Sequence, residues 1–316
     1  GQEVPMNVPS TRLIACDKDV MTLRRLEKVF FAAGLKCQTK ETAPAAADFE
    51  DGARLLLVSE NYLQFALTVA PEDCAILVLV EEDSPGALGT AARDPRVNHL
   101  FGRRAANPVR PWEVLHVVRR IIKQYELEGI KPFLHWGARM HETLVASSED
   151  LHHVVEWVPT FCDKLGTPPK VQETFAELAH ELLMNAVYDA PVDADGKALY
   201  AHDRKQEVVL ADEQAALFTM GTDGETLAVS VRDPFGRLER RHVFGGMHRA
   251  LAANGQLDTA GGGAGLGMLY IYQHGYGSFF TIKPGISTEV TVLYDLGLNR
   301  REFTTLPRSV HVFHEQ

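Results

Sequence analysis

Cysteine is scarce in this 316-residue chain. Its four cysteines, Cys16, Cys37, Cys74 and Cys162, are far apart and show no metal-ligand spacing. That excludes a disulfide framework and a thiolate metal site, and leaves free thiols packed in a reducing compartment. Long apolar runs are missing too, so no segment reads as a membrane span. The opening residues, GQEVPMNVPS, lack the basic and apolar regions of a secretory signal. The expectation is a cytoplasmic protein with no membrane partner. Basic charge is in deficit: 32 Lys and Arg against 42 Asp and Glu give a formal net charge of −10. A nucleic-acid partner, which needs a concentrated basic face, is not expected. What is present is a hydrophobic fraction of 45%, enough to bury real cores. The length exceeds the rough figure of about 150 residues per domain, which argues for two domains.

Residues 11–125 alternate short apolar runs with amphipathic segments, the pattern of an α/β domain. Arg12 to Cys16 reads as a buried strand ending in Asp17-Lys18-Asp19, and Val20 to Ala33 carries helical spacing that Gly34 stops. Arg54 to Val58, Cys74 to Val80 and Val97 to Phe101 read as further strands, and Pro111 to Tyr125 as a closing helix. Strands that are apolar throughout imply a parallel sheet covered on both faces. In element order and in the acid after the first strand, this region resembles a response-regulator receiver domain, a flavodoxin-like fold. The residues of that family's phosphoryl chemistry are largely replaced. Asp17 fits the first metal-binding acid, but Lys18 stands at the second and Ser59 at the acceptor position. Val80 or Glu81 takes the place of the hydroxyl residue, and Arg103 or Arg104 that of the lysine. Without an acceptor carboxylate no acyl phosphate forms, so the resemblance implies a pseudo-receiver used for docking. An unrelated flavodoxin-like domain fits the pattern as well.

Residues 126–168 read as a helical connector. Its apolar stripe suits pairing of two chains as a homodimer and packing on its own domains equally. His141-Glu142-Thr143-Leu144 has the look of a histidine-kinase phosphoacceptor box, but the usual proline is absent; a packing or solvated histidine is the plainer account.

Residues 169–298 carry four signals in one order. The helix Val171 to Tyr188 presents Glu181 and Asn185 four apart, on one face in apolar surroundings. An amide oxygen and a carboxylate so placed suit a magnesium ion and a water, or an ordinary polar pair. A strand pair, Gln214 to Met220 and Thr226 to Arg232, ends at Asp233-Pro234-Phe235-Gly236. An aspartate there is placed to accept from an exocyclic amine such as that of adenine, and a glycine after it lets a flat ring approach the backbone; an Asp-Pro turn is the bland alternative. The run Gly261-Gly262-Gly263-Ala264-Gly265-Leu266-Gly267 then feeds a helix, a geometry that turns backbone N–H groups toward a polyphosphate or is a glycine-rich surface loop. Ser287-Thr288 opens a last strand.

That sequence of signals resembles the GHKL ATPase superfamily, an α/β sandwich of the Bergerat type that includes gyrase, histidine kinases and anti-sigma-type serine kinases. The resemblance implies ATP and magnesium as cofactors. Asn185 would coordinate the metal, Glu181 would orient or deprotonate a nucleophile, and Asp233 with Thr288 would read adenine. Gly236 would border the base, and Gly261 to Gly263, Gly265, Leu266 and Gly267 would wrap the phosphates. One departure stands out: the family places its glycine two residues after the aspartate, whereas here Pro234 and Phe235 precede Gly236. The implied function is a bacterial-type signalling protein that binds Mg-ATP and phosphorylates a partner protein or switches partner contacts with nucleotide state. A scaffold with both domains degenerate is the alternative, and a histidine kinase using His141 a third reading. The extension 299–316 alternates like a strand over Val310 to His314.

Overall fold

The computed structural model describes residues 12–81, 85–105, 108–122, 128–253 and 264–315, with backbone alone for 264–266. It divides into two compact units, one of residues 1–81 and 95–126, the other of residues 82–94 and 127–316.

The first unit is built on five parallel strands: β1 Arg12–Cys16, β2 Lys36–Lys40, β3 Leu55–Ser59, β4 Ala75–Val80 and β5 Val97–Gly102. Their spatial order is β2-β1-β3-β4-β5, the doubly wound order in which ligands sit beyond the carboxyl ends of the strands. β3 is buried at every position and β1 at all but its first, hence the unbroken apolar runs. β2 escaped the sequence reading because Lys36-Cys37-Gln38-Thr39-Lys40 is largely polar and only partly covered. Helix α1 Val20–Ala32 starts where the Asp19 side chain accepts from the Met21 N–H at 3.1 Å, a cap that satisfies one of the orphan donors of the first turn. Helices α2 Leu63–Val69 and α4 Pro111–Ile121 complete the unit, the latter with proline at its first position.

One helix does not stay with the strands it joins in sequence. α3 Pro85–Arg93 belongs to the second unit, where it packs on α7 Arg240–Ala252. Arg240 donates to the carbonyls of Ala91 and Asp94, and His248 Nδ1 lies 2.8 Å from the Pro85 carbonyl. The boundaries expected at 11–125 are corrected in this respect.

The second unit is a sheet with helices layered on it. Its strands are β6 Arg139–Val145, β7 Ala216–Thr222, β8 Thr226–Asp233, β9 Gly277–Lys283, β10 Ser287–Asp295 and β11 Ser309–His314. β6-β7-β8-β10-β9 run antiparallel to their neighbours, and β11 pairs with β9 in parallel. The helix layer reads α5 Ser148–Lys164, α6 Pro169–Met184, α8 Ala264–His274, α7; α6 meets β8 and α8 meets β9. Phe175, Phe218, Phe244 and Phe280 are fully buried between the layers, and Phe279, the next residue of β9, is buried on the opposite face against Phe133, each contributing roughly 2–3 kcal/mol by leaving water. The stretch 126–168 is not a free helical connector: it supplies β6 and α5. β6 was invisible to pattern reading because Arg139 to Leu144 lie mostly exposed, leaving no buried face to alternate with. Among the described residues no helix is long and apolar enough to cross a membrane.

Candidate functional site

In the first unit the carboxyl ends of the parallel strands lie along one edge of the sheet, as the doubly wound order requires. Asp17 follows β1, Ser59 ends β3 and Arg103 follows β5. Arg103 clasps Asp17 through both terminal nitrogens, Nη2 reaching Oδ1 at 3.0 Å, with both side chains almost wholly buried. Its guanidinium also lies 3.4 Å from Glu81. The acid that would hold a metal in a receiver therefore carries an internal cation. The Ser59 hydroxyl is buried with no hydrogen-bond partner among the described residues.

The second unit brings its site residues together in two places. The first is the end of α6. α6 gives way at Asn185–Asp189 to a π-helical turn, in which the Ala190 N–H reaches back to the Asn185 carbonyl at 2.9 Å. Such turns within helices recur at functional sites. The wider turn brings Asn185 and Asp189 to the same guanidinium: Arg204 donates from Nε to Asp189 Oδ1 at 3.2 Å, from Nη2 to Asp189 Oδ2 at 2.5 Å and from Nη2 to Asn185 Oδ1 at 3.3 Å. Burial weakens the charged guanidinium, but Asp189 and then Glu181 more than offset it, and the pKa of Arg204 is raised. Arg237 adds a second guanidinium, donating to the Asp189 carbonyl at 3.1 Å.

Glu181 faces α8. A Cβ on Gly267 would stand 2.9 Å from Glu181 Oε2, so glycine is what lets the first turns of α8 lie against the carboxylate. One turn earlier on α6, Glu177 accepts from the Tyr270 hydroxyl at 2.5 Å, which raises the tyrosine's pKa on top of the effect of burial. Gly265 and Leu266 lie within the first turn of α8 rather than in a loop. Gly261, Gly262 and Gly263 lie outside the described residues.

The second place is the end of β8. Asp233 pairs with Thr288 of β10 across the antiparallel ladder. Burial pushes the Asp233 carboxyl up to about 6, against the pull of the Phe235 and Gly236 N–H groups and Arg237. Oδ1 accepts both N–H groups, at 2.9 and 3.4 Å; Oδ2 has no hydrogen bond among the described residues. The Thr288 hydroxyl is buried with no hydrogen-bond partner among the described residues. Buried polar atoms are almost always satisfied, so an orphan hydroxyl opposite a half-engaged carboxyl points to a ligand. Gly236 has a different reason from the one expected: at φ +66° its missing Cβ would overlap the Lys283 carbonyl oxygen at 2.1 Å. It fits the turn to the β9–β10 hairpin rather than a ring to the backbone.

Tested against the implied cofactors, the residues answer unequally. Asp233 and Thr288 fit a heterocycle with an exocyclic amine beside a ring nitrogen. The donors around Asn185 do not fit a magnesium ion as arranged, because the amide oxygen already faces a guanidinium. Sequence reasoning missed Asp189 and Arg204. Asp189 follows Asn185 by four and carries that signal; Arg204 lies in irregular chain with no periodicity to mark it. His141 packs against Trp157 with ring centroids 4.2 Å apart and the rings tilted by 30°, a packing role on β6.

No family model matches the sequence, and no curated protein matches it significantly. Among solved structures the chain is similar to one in the crystal structure of the SiaB–SiaC complex from Pseudomonas aeruginosa, at 12% identity and a TM-score of 0.29, over 57% of this chain and 96% of that one. A likeness so slight assigns neither fold family nor function.

Proposed function

We propose that the second unit is an adenine-nucleotide-binding domain of the GHKL type, and that the chain is a cytoplasmic signalling protein whose receiver-like first unit docks partners without being phosphorylated. The observation that carries this reading is the pairing of the orphan Thr288 hydroxyl with the buried Asp233 carboxyl. At neutral pH that carboxyl is mostly ionised and accepts from the exocyclic amine, while the hydroxyl rotates to serve a ring nitrogen. The phosphates then lie toward the N-terminal turn of α8, whose backbone partial charge favours anions.

Glu181, held beside that turn, is the base of this reading. It takes the proton of a partner's serine hydroxyl as the oxygen bonds to the terminal phosphorus and the bond to ADP breaks. A non-catalytic scaffold is the second reading, favoured by the Arg103–Asp17 clasp that already fills one degenerate site. Incubation with terminally labelled ATP and candidate partner proteins separates the two. A kinase transfers label and loses transfer, but not binding, in Glu181→Gln. A scaffold binds ATP and leaves it intact.

A further inference from the structure

We infer that Arg204, seconded by Arg237, supplies the positive charge that balances the nucleotide's phosphates, so that binding does not require a divalent cation. This rests on the reading of Asp233 and Thr288 as a purine site. Three features of the α6 terminus carry it.

First, the amide oxygen of Asn185 accepts from Arg204 Nη2 at 3.3 Å. A hard divalent cation on that oxygen would sit at about 2.1 Å with several waters around it, in the space that the guanidinium holds. Second, the guanidinium is positioned but not used up. Nε and Nη2 are spent on Asp189 and Asn185, while Nη1 makes no hydrogen bond among the described residues, and about a third of the side chain is open to solvent. A fixed fork with free N–H groups is the geometry that recognises phosphate. Third, Arg237 connects the two halves of the site. It donates to the Asp189 carbonyl at 3.1 Å, and its charge acts on the Asp233 carboxyl. Arg237 thus links the base-reading end to the end of α6, where Arg204 is held by Asp189 and Asn185.

Asp189 keeps Arg204 in place, and Glu181 lies close enough for its charge to be felt there. An anionic phosphate added beside these carboxylates is repelled by them, and the guanidinia are what offset that repulsion.

The test is calorimetric titration of the whole chain with ADP and with adenosine, each in EDTA and in magnesium, for the native protein, Arg204→Gln and Arg204→Lys. The inference expects ADP affinity in EDTA within about twofold of that in magnesium for the native protein. It expects Arg204→Gln to lose about tenfold or more toward ADP in EDTA while adenosine binding is kept, and Arg204→Lys, which retains charge without the fork, to lose less. Adenosine binding shared by all three proteins also shows that the variants fold. Affinity for ADP that depends on magnesium about tenfold or more overturns the role of Arg204 and leaves the purine site standing. Equal ADP affinity in Arg204→Gln and the native protein does the same. Absence of binding by ADP and adenosine alike overturns both.

Discussion

Thr288 stands opposite Asp233 on the β8–β10 ladder, its hydroxyl buried and without a partner among the described residues while burial pushes the carboxyl up to about 6. Directly opposed side chains of an antiparallel pair begin about 5 Å apart, a span that one edge of a heterocycle can bridge. A structure that keeps a buried carboxyl and a buried orphan hydroxyl side by side accepts a cost in stability, and functional sites are where such costs are found.

Asp233→Asn measures that cost. The folded protein raises this carboxyl above its ordinary 3.8, so folding prefers the protonated form. The group's contribution to stability is therefore fully present at low pH and is lost as pH rises through about 6. The neutral amide keeps an oxygen for the Phe235 and Gly236 N–H groups and removes the buried charge. We expect Asp233→Asn to be more stable than the native chain at pH 8, on the order of 1–3 kcal/mol, with the difference closing near pH 4. Urea unfolding at the two pH values checks it; a variant less stable at pH 8 contradicts it.

The same group sets the pH dependence of binding. An exocyclic amine needs the ionised carboxylate, so ATP affinity should be level above pH 7 and fall as pH drops through about 6, approaching tenfold per unit below it. In Asp233→Asn the fall should vanish along with most of the affinity. Titrations between pH 5 and 8 read both effects, and a native profile without a break near 6 would count against Asp233 as the base reader.

Gly236 is predicted to tolerate no side chain. Alanine would meet the Lys283 carbonyl oxygen at 2.1 Å and hold a left-handed φ of +66°, a combination expected to cost about 2 kcal/mol or more. For a protein of this size that is a fall of several degrees in midpoint. Thermal unfolding of Gly236→Ala within a degree of the native midpoint would mean that the turn after β8 is free to move away from the hairpin.

Arg103 and Asp17 make the equivalent prediction for the first unit. Removing either partner strands a buried charge, so Asp17→Ala and Arg103→Ala should each destabilise by about 3–5 kcal/mol, whereas Asp17→Leu with Arg103→Met should recover much of the loss. Denaturation of the three variants tests it. Single variants as stable as the native chain would show the clasp to be dispensable, and the place of Asp17 then open to a metal.

The sequence made the backbone of this account legible where burial is continuous. β1, β3, β4, β8 and β10 each have one dominant environment, and their apolar runs reported it. β2 and β6 were lost because Lys36 to Lys40 and Arg139 to Leu144 are polar and half exposed, so no period marks them. That α3 packs on α7 is a long-range choice: its local sequence, Pro85 to Arg93, suits a helix wherever it lands. In the site, Glu181, Asn185, Asp233 and Thr288 could be found because each sits at a fixed offset within a periodic element. Arg204 reaches Asp189 from irregular chain 15 residues on, and only the fold brings them together. Gly236 stands one residue off the spacing that the resemblance implies, and the contact that demands glycine there comes from Lys283 on a strand far along the chain, which no local pattern shows.

The most direct test of the central claim is equilibrium binding of a fluorescent adenine nucleotide to the native chain and to Thr288→Val, which removes the orphan hydroxyl and keeps the branched shape. The account predicts saturable binding that excess ATP competes away and excess GTP does not, with affinity reduced about tenfold in Thr288→Val at unchanged thermal stability. Failure of the native chain to bind, or equal affinity in Thr288→Val, would contradict it.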